Sequence, residues 1–291
     1  MHLIKTVLLS FALILLMVSC KKNDPVATKP MVNFIFKFDS TQVRLNNIGQ
    51  PSVIASGNAA QSPVFNKMSA HYLELAPNQL TALGAGKVLY RAPETSIGGQ
   101  NAIDFSKATF AGNGQAFLSV PLDSVTPGSY DWLRVSLAYQ NYDIKLRASG
   151  FDLTGTIASF IGYRTYIQQY KVKDSTVTVN ANKAQGYWAF ETSVSGFGVL
   201  NTGQAPPGAT TVPNPIFATS PIPAGSCVVT GKFASPLVIT GTEASDITVI
   251  VSLSTNKSFE WVDGDGNGTF DPLNGDQVVD MGIRGLIPVR Q

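Results

Sequence analysis

Charge is scarce in this sequence. Only 14% of its 291 residues are Asp, Glu, Lys or Arg, and 21 basic against 19 acidic side chains leave a formal net charge of +2. A disordered polyelectrolyte or a coiled coil needs far more charge than that. No dense basic run follows the first two dozen residues, so a phosphate backbone finds little attraction and nucleic acid is excluded as a partner. Histidine and cysteine occur only twice each. His71, in Met68-Ser-Ala-His-Tyr-Leu73, reads as an ordinary strand histidine, and no Gly-x-Ser-x-Gly elbow accompanies it. Cys227 lies in the strand-like Ser226-Cys-Val-Val-Thr230 and reads as a small apolar core residue. Helical spacing is missing as well: no stretch longer than about ten residues keeps apolar residues at i, i+3 and i+4 free of Gly, Pro or β-branched clusters.

What the chain does have is alternation. Val32, Phe34 and Phe36 alternate with Asn33, Ile35 and Lys37, and Ile247, Val249, Val251 and Leu253 share one parity. Between Asp131 and Arg147 the apolar parity changes: Leu133, Val135, Leu137 and Tyr139 are odd, whereas Tyr142, Ile144 and Leu146 are even. One extra residue at Gln140-Asn141, a β-bulge, would return both sets to the same face. Segments 153–172, 175–179 and 186–191 follow as antiparallel neighbours. Residues 196–225 shift to Gly, Pro, Thr and Asn, including Ala205-Pro-Pro-Gly208 and Pro213-Asn-Pro215.

The succession of short strands argues for an all-β protein, an antiparallel β-sandwich built as one large or two small sandwiches. Residues 31–200 form the sandwich domain and 201–225 a Pro/Gly-rich loop or linker. Residues 226–291 supply C-terminal strands of the same domain or of a second one.

At the N-terminus, Lys5 precedes an apolar run from Thr6 to Val18 that is too short to span a bilayer dependably, so residues 1–19 read as a signal peptide. Its end, Leu16-Met-Val-Ser-Cys20, resembles the lipobox of bacterial lipoproteins, although Met17 departs from the usual Leu. The resemblance implies lipidation of Cys20, with residues 20–30 as a polar tether and acyl chains contributing about 0.8 kcal/mol per buried CH₂. Lys21 in place of Asp implies the outer membrane, and Lys22-Asn-Asp24 weakly resembles the export signal of Bacteroidetes-type surface lipoproteins. The cell surface and the periplasmic face both stay open.

Asp263-Gly-Asp-Gly-Asn-Gly-Thr-Phe-Asp271 carries oxygen side chains at positions one, three, five and nine, with Gly268 at six and the Thr269 carbonyl at seven. That spacing resembles the calcium loop of EF-hands and dockerin-like repeats, and alternate residues of a tight loop can supply the six to eight oxygens Ca²⁺ takes. Asn274 stands where an EF-hand has its bidentate Glu, and a strand-like stretch follows in place of a helix. The expectation is a β-hairpin whose connection wraps Ca²⁺ through Asp263, Asp265, Asn267, Thr269 and Asp271, with Asn274, Asp276 or Asp280 completing the shell. Affinity would fall near that of extracellular modules, roughly 10⁻⁴ to 10⁻³ M. A metal-free Asp/Gly/Asn turn is the competing reading.

Glu74, Glu191, Glu243 and Glu260 are too scattered to pair as glycosidase carboxyls, and no nucleotide motif is present. Aromatic clusters at Tyr130, Trp132, Tyr139 and Tyr142, at Tyr163, Tyr166 and Tyr170, and at Tyr187 and Trp188 would serve as core or, exposed, as sugar platforms. The reading favours a lipid-anchored, non-catalytic binding or structural protein with a structural calcium ion. Its partners would be the membrane, through the anchor, and a glycan or another surface protein. The alternative is a polysaccharide-processing enzyme or a glycan-binding accessory lipoprotein.

Overall fold

The computed structural model describes residues 29–46, 49–194, 196–205 and 225–291. The signal peptide, Cys20 and most of the tether lie outside these residues, as does 206–224. Among the described residues the chain forms eighteen strands and three short 3₁₀ turns. No helix there is long and apolar enough to cross a membrane. The first half contributes β1 (Met31–Asp39), β2 (Asn58–Gln61), β3 (Val64–Ala76), β4 (Lys87–Arg91), β5 (Glu94–Thr95), β6 (Ala102–Asp104) and β7 (Gln115–Pro121). Then come β8 (Gly128–Ala148), β9 (Phe151–Phe160), β10 (Arg164–Lys171), β11 (Thr176–Ala184), β12 (Tyr187–Val194) and β13 (Phe197–Gln204). The last five are β14 (Cys227–Ile239), β15 (Ile247–Ser254), β16 (Phe259–Val262), β17 (Gln277–Met281) and β18 (Leu286–Arg290).

The architecture is all-β and sandwich-like. A seven-stranded antiparallel sheet, β13-β12-β9-β8-β3-β4 with β14 also paired to β8, forms the central layer. One face is covered by the four-stranded sheet β18-β15-β1-β7 and by the small sheet β17-β16-β2; part of the other carries the sheet β11-β10-β6-β5. Alternation explains the first interface. Val32, Phe34 and Phe36 of β1 and Val249, Val251 and Leu253 of β15 are fully buried against Leu133, Val135 and Leu137 of β8. Each such burial is worth about 1.5–3 kcal/mol. β1 and β15 run parallel, Val32 beside Ile247 through Asp39 beside Ser254. Strands on both sides of segment 206–224 therefore share sheets: β15 pairs with β1, β14 with β8 and β16 with β2.

The long β8 keeps Leu133, Val135 and Leu137 and then Tyr142, Ile144 and Leu146 in one core, as the change of parity requires. The extra residue is Ala138, two positions before the expected bulge: Ser69 of β3 faces Tyr139 and Ala70 faces Leu137. Tyr139 consequently points to the opposite face, where it joins Phe160, Tyr170 and Tyr187. Segment 153–172 divides at Ile161-Gly162, whose N–H groups both donate to the Ala138 carbonyl. A side chain at Gly162 would meet Ile103 at 2.6 Å, so glycine permits the crossing. The hairpin β10–β11 thus lies across the central sheet, and β9 pairs with β12 instead. The Gly-rich stretch after Gly196 begins as strand β13, since an edge strand needs only backbone bonds on its β12 side.

Candidate functional site

The loop with ion-binding spacing does close a hairpin. β16 pairs antiparallel to β17, with Phe259 opposite Met281 and Val262 opposite Gln277. Its buried side is an aromatic anchor: Phe270, midway along the connection, packs on Phe259 and Trp261 at ring distances of 5.1 and 5.5 Å. The Phe270 carbonyl accepts from the Arg147 N–H at 2.8 Å. Gly266 and Gly268 take φ of 71° and 73°, the left-handed region that glycine enters without strain.

This backbone brings carboxylate oxygens of Asp263, Asp265 and Asp276 within 4.8 Å of one another. The Gly268 N–H donates to Asp263 Oδ2 at 2.9 Å, while Asp263 Oδ1 is buried without a hydrogen-bond partner. Asp276 is buried and accepts from Gly264 N–H at 3.1 Å and Asp271 N–H at 2.7 Å. Asp265 is exposed and holds Asn267 through its backbone N–H and side-chain amide. Asn267 Oδ1 in turn accepts from Thr269 N–H at 2.6 Å. Asp271 stands outside the three-carboxylate group: its Oδ2 accepts from Asn274, and its Oδ1 is buried without a partner. Among the described residues no Lys or Arg forms an ion pair with Asp263, Asp265 or Asp276. Oxygen donors alone, one of them, Asp263 Oδ1, without a hydrogen-bond partner, suit a hard cation.

The same hairpin carries a second acidic group at its base. Glu260 and Asp280 lie opposite each other across β16 and β17. Arg44 reaches Glu260 and stands 3.6 Å from Asp280, whose carboxylate also meets Arg284 at 3.0 Å. Burial opposes ionisation of Glu260, but hydrogen bonds from Asn58 and Arg44 outweigh it and hold the carboxyl below its usual range. For Asp280 burial wins over both arginines and pushes the carboxyl up to about 6. Nothing in the local sequence revealed this cluster, since Arg44 and Glu260 are 216 positions apart.

His71 is wholly buried in β3, its Nε2 2.8 Å from Glu94 Oε1. Burial lowers its pKa to about 4 against the pull of Glu94. Glu94 is further engaged by Arg91 and Asn101. The other scattered glutamates are also occupied locally: Glu74 by Gly84 and Gly86 N–H, Glu191 by the N–H groups of 173–175, and Glu243 by Thr240 and Gly241. None converges on another. Cys227 is buried in β14. Tyr130, Tyr139, Tyr142, Tyr166, Tyr170 and Tyr187 are core, whereas Trp132, Tyr163 and Trp188 keep partial exposure.

With this geometry in hand, comparison with family models, with curated proteins and with solved structures finds no match.

Proposed function

We propose that the chain is a lipid-anchored, extracytoplasmic β-sandwich protein with a non-catalytic binding or structural role, whose β16–β17 hairpin is pinned by a calcium ion. The observation that carries the metal reading is the meeting of Asp263, Asp265 and Asp276 with no basic side chain paired to them. Three carboxylates held this closely repel one another, and the backbone N–H groups around them compensate only part of the charge. Asp263, Asp265 and Asp276 would hold the ion, with Asp271 Oδ1, Asn267 and the Thr269 carbonyl as the further oxygens nearest in sequence. The ion's contribution is charge neutralisation and rigidity.

The test is thermal unfolding in millimolar Ca²⁺ against chelator. A rise in Tm that Asp263→Asn abolishes supports the site, and an unchanged midpoint removes it. Anchoring rests on the sequence Leu16–Cys20, so Cys20→Ala should move the protein from the membrane to the soluble fraction; retention in the membrane would contradict the lipoprotein reading. Polysaccharide processing is the second reading, favoured by one observation: Glu260 and Asp280 form a carboxyl pair whose proton affinities are driven apart, as in acid–base sites. Glycan hydrolysis lost in Asp280→Asn with folding intact would make that reading the better one.

A further inference from the structure

Beside the acidic loop the structure contains a cavity of about 700 Å³. Its floor is the edge of the central sheet, where Leu146 of β8, Leu153 and Ile157 of β9 and Phe190 of β12 face the same way. Its wall is the hairpin, through Phe259, Phe270, Val278 and Met281. The floor is kept deep by two glycines. A side chain at Gly155 would stand 2.1 Å from the Phe190 ring and one at Gly203 2.4 Å from the Trp188 ring. With glycine at both positions the two rings settle against the sheet and leave the space above them open.

We propose that this cavity binds an uncharged, predominantly hydrocarbon small molecule. The size falls within the range of small-molecule sites, roughly 300–1,000 Å³. The lining selects against charge. No Lys or Arg lines it, and its one acid, Asp276, has both oxygens engaged by backbone N–H groups. Two of its polar side chains are also occupied: Thr192 Oγ1 donates to the Thr154 carbonyl, and Gln204 Nε2 to the Gln185 carbonyl. A charged ligand would lose its hydration and gain no ion-pairing side chain, with only the neutral Ser149 and Asn201 left to hydrogen-bond it. At the rim, Phe151 and Leu273 are 56% and 68% exposed, an apolar entrance continuous with the interior.

The inference rests on the binding-protein reading but not on calcium, so it is tested with and without the ion. The purified chain is titrated with the neutral fluorophore N-phenyl-1-naphthylamine, in Ca²⁺ and in chelator. Expected is saturable binding of one probe per chain under both conditions, with blue-shifted emission. Val199→Trp, which fills the mouth from β13, should weaken it at least tenfold, whereas Val53→Trp, on an exposed loop outside the cavity, should not. Should Val199→Trp disturb folding, Leu273→Glu places a charge at the entrance and should weaken binding likewise. Non-saturable binding, or equal affinity in the Val199 and Val53 variants, overturns the proposal. So does probe binding that appears only when residues 206–224 are deleted, since the cavity would then belong to the chain's own segment. Binding in chelator alongside an unchanged Tm would leave this proposal standing and remove the calcium site.

Discussion

One hairpin carries two acidic clusters that are compensated in opposite ways. At its base Glu260 and Asp280 share Arg44, with Arg284 added on Asp280. At its tip Asp263, Asp265 and Asp276 meet with backbone N–H groups and no ion-paired base. At the base the fold itself supplies the counter-charge, through Arg44 and Arg284, whereas at the tip no described side chain does. The difference is one of permanence. A guanidinium fixed by the fold neutralises at every ion concentration, and a loop of oxygens neutralises only when a cation is supplied from solution.

The most damaging way to break the comparison is to remove the built-in cation. Arg44→Met should cost about 3–5 kcal/mol in denaturant unfolding, because Glu260 stays buried with its main counter-charge gone. Asp280→Asn should act in the other direction. A carboxyl raised from 3.8 to about 6 binds its proton more tightly folded than unfolded, so the fold loses stability as pH rises from about 4 to 6 and carries that loss at neutral pH. The amide removes it, and stability at pH 7.5 should rise by on the order of 1–3 kcal/mol. His71 works oppositely: held neutral to about pH 4, it loses stability as pH falls from about 6.5 towards 4. The two slopes offset each other in the native chain. Asp280→Asn should therefore unmask an acid-side decline in a pH series of urea midpoints.

At the tip the expected effects are smaller. With a dissociation constant near 10⁻⁴ M, 1 mM Ca²⁺ should stabilise the fold by about 1.4 kcal/mol, a gain that Asp276→Asn should erase in a melting series with added ion. Gly268→Ala, at φ 73°, should cost about 1 kcal/mol without ion and also blunt the calcium response. Equal calcium responses in Asp276→Asn and the parent chain would erase the proposed contrast between base and tip.

The strands most readable from sequence were those whose neighbours differ in polarity residue by residue, such as β1 and β15. Position along β8 was legible only to within two residues, because Ala138 is small and apolar and fits either parity. The acidic loop stood out because its oxygen-bearing side chains are local in sequence, but which of them converge is set by the folded backbone, which gathers Asp263, Asp265 and Asp276 and leaves Asp271 beside them. The Arg44 cluster was not legible, since ion pairing across sheets leaves no spacing signal. Nor was the cavity: Leu146, Ile157, Phe190 and Phe270 look like any other core residues in the sequence, and only the fold sets Gly155 beneath the Phe190 ring and Gly203 beneath the Trp188 ring.

The parallel pairing of β1 with β15 has a temporal meaning. A chain synthesised N-terminus first presents Val32, Phe34 and Phe36 more than two hundred residues before their neighbours at Ile247–Leu253 arrive. Until then the first strand has a vacant edge and no finished core, and the closure entropy of that long separation opposes early docking. The sandwich is sealed by the last of its strands, β15 and its neighbour β18, so assembly waits for the whole chain.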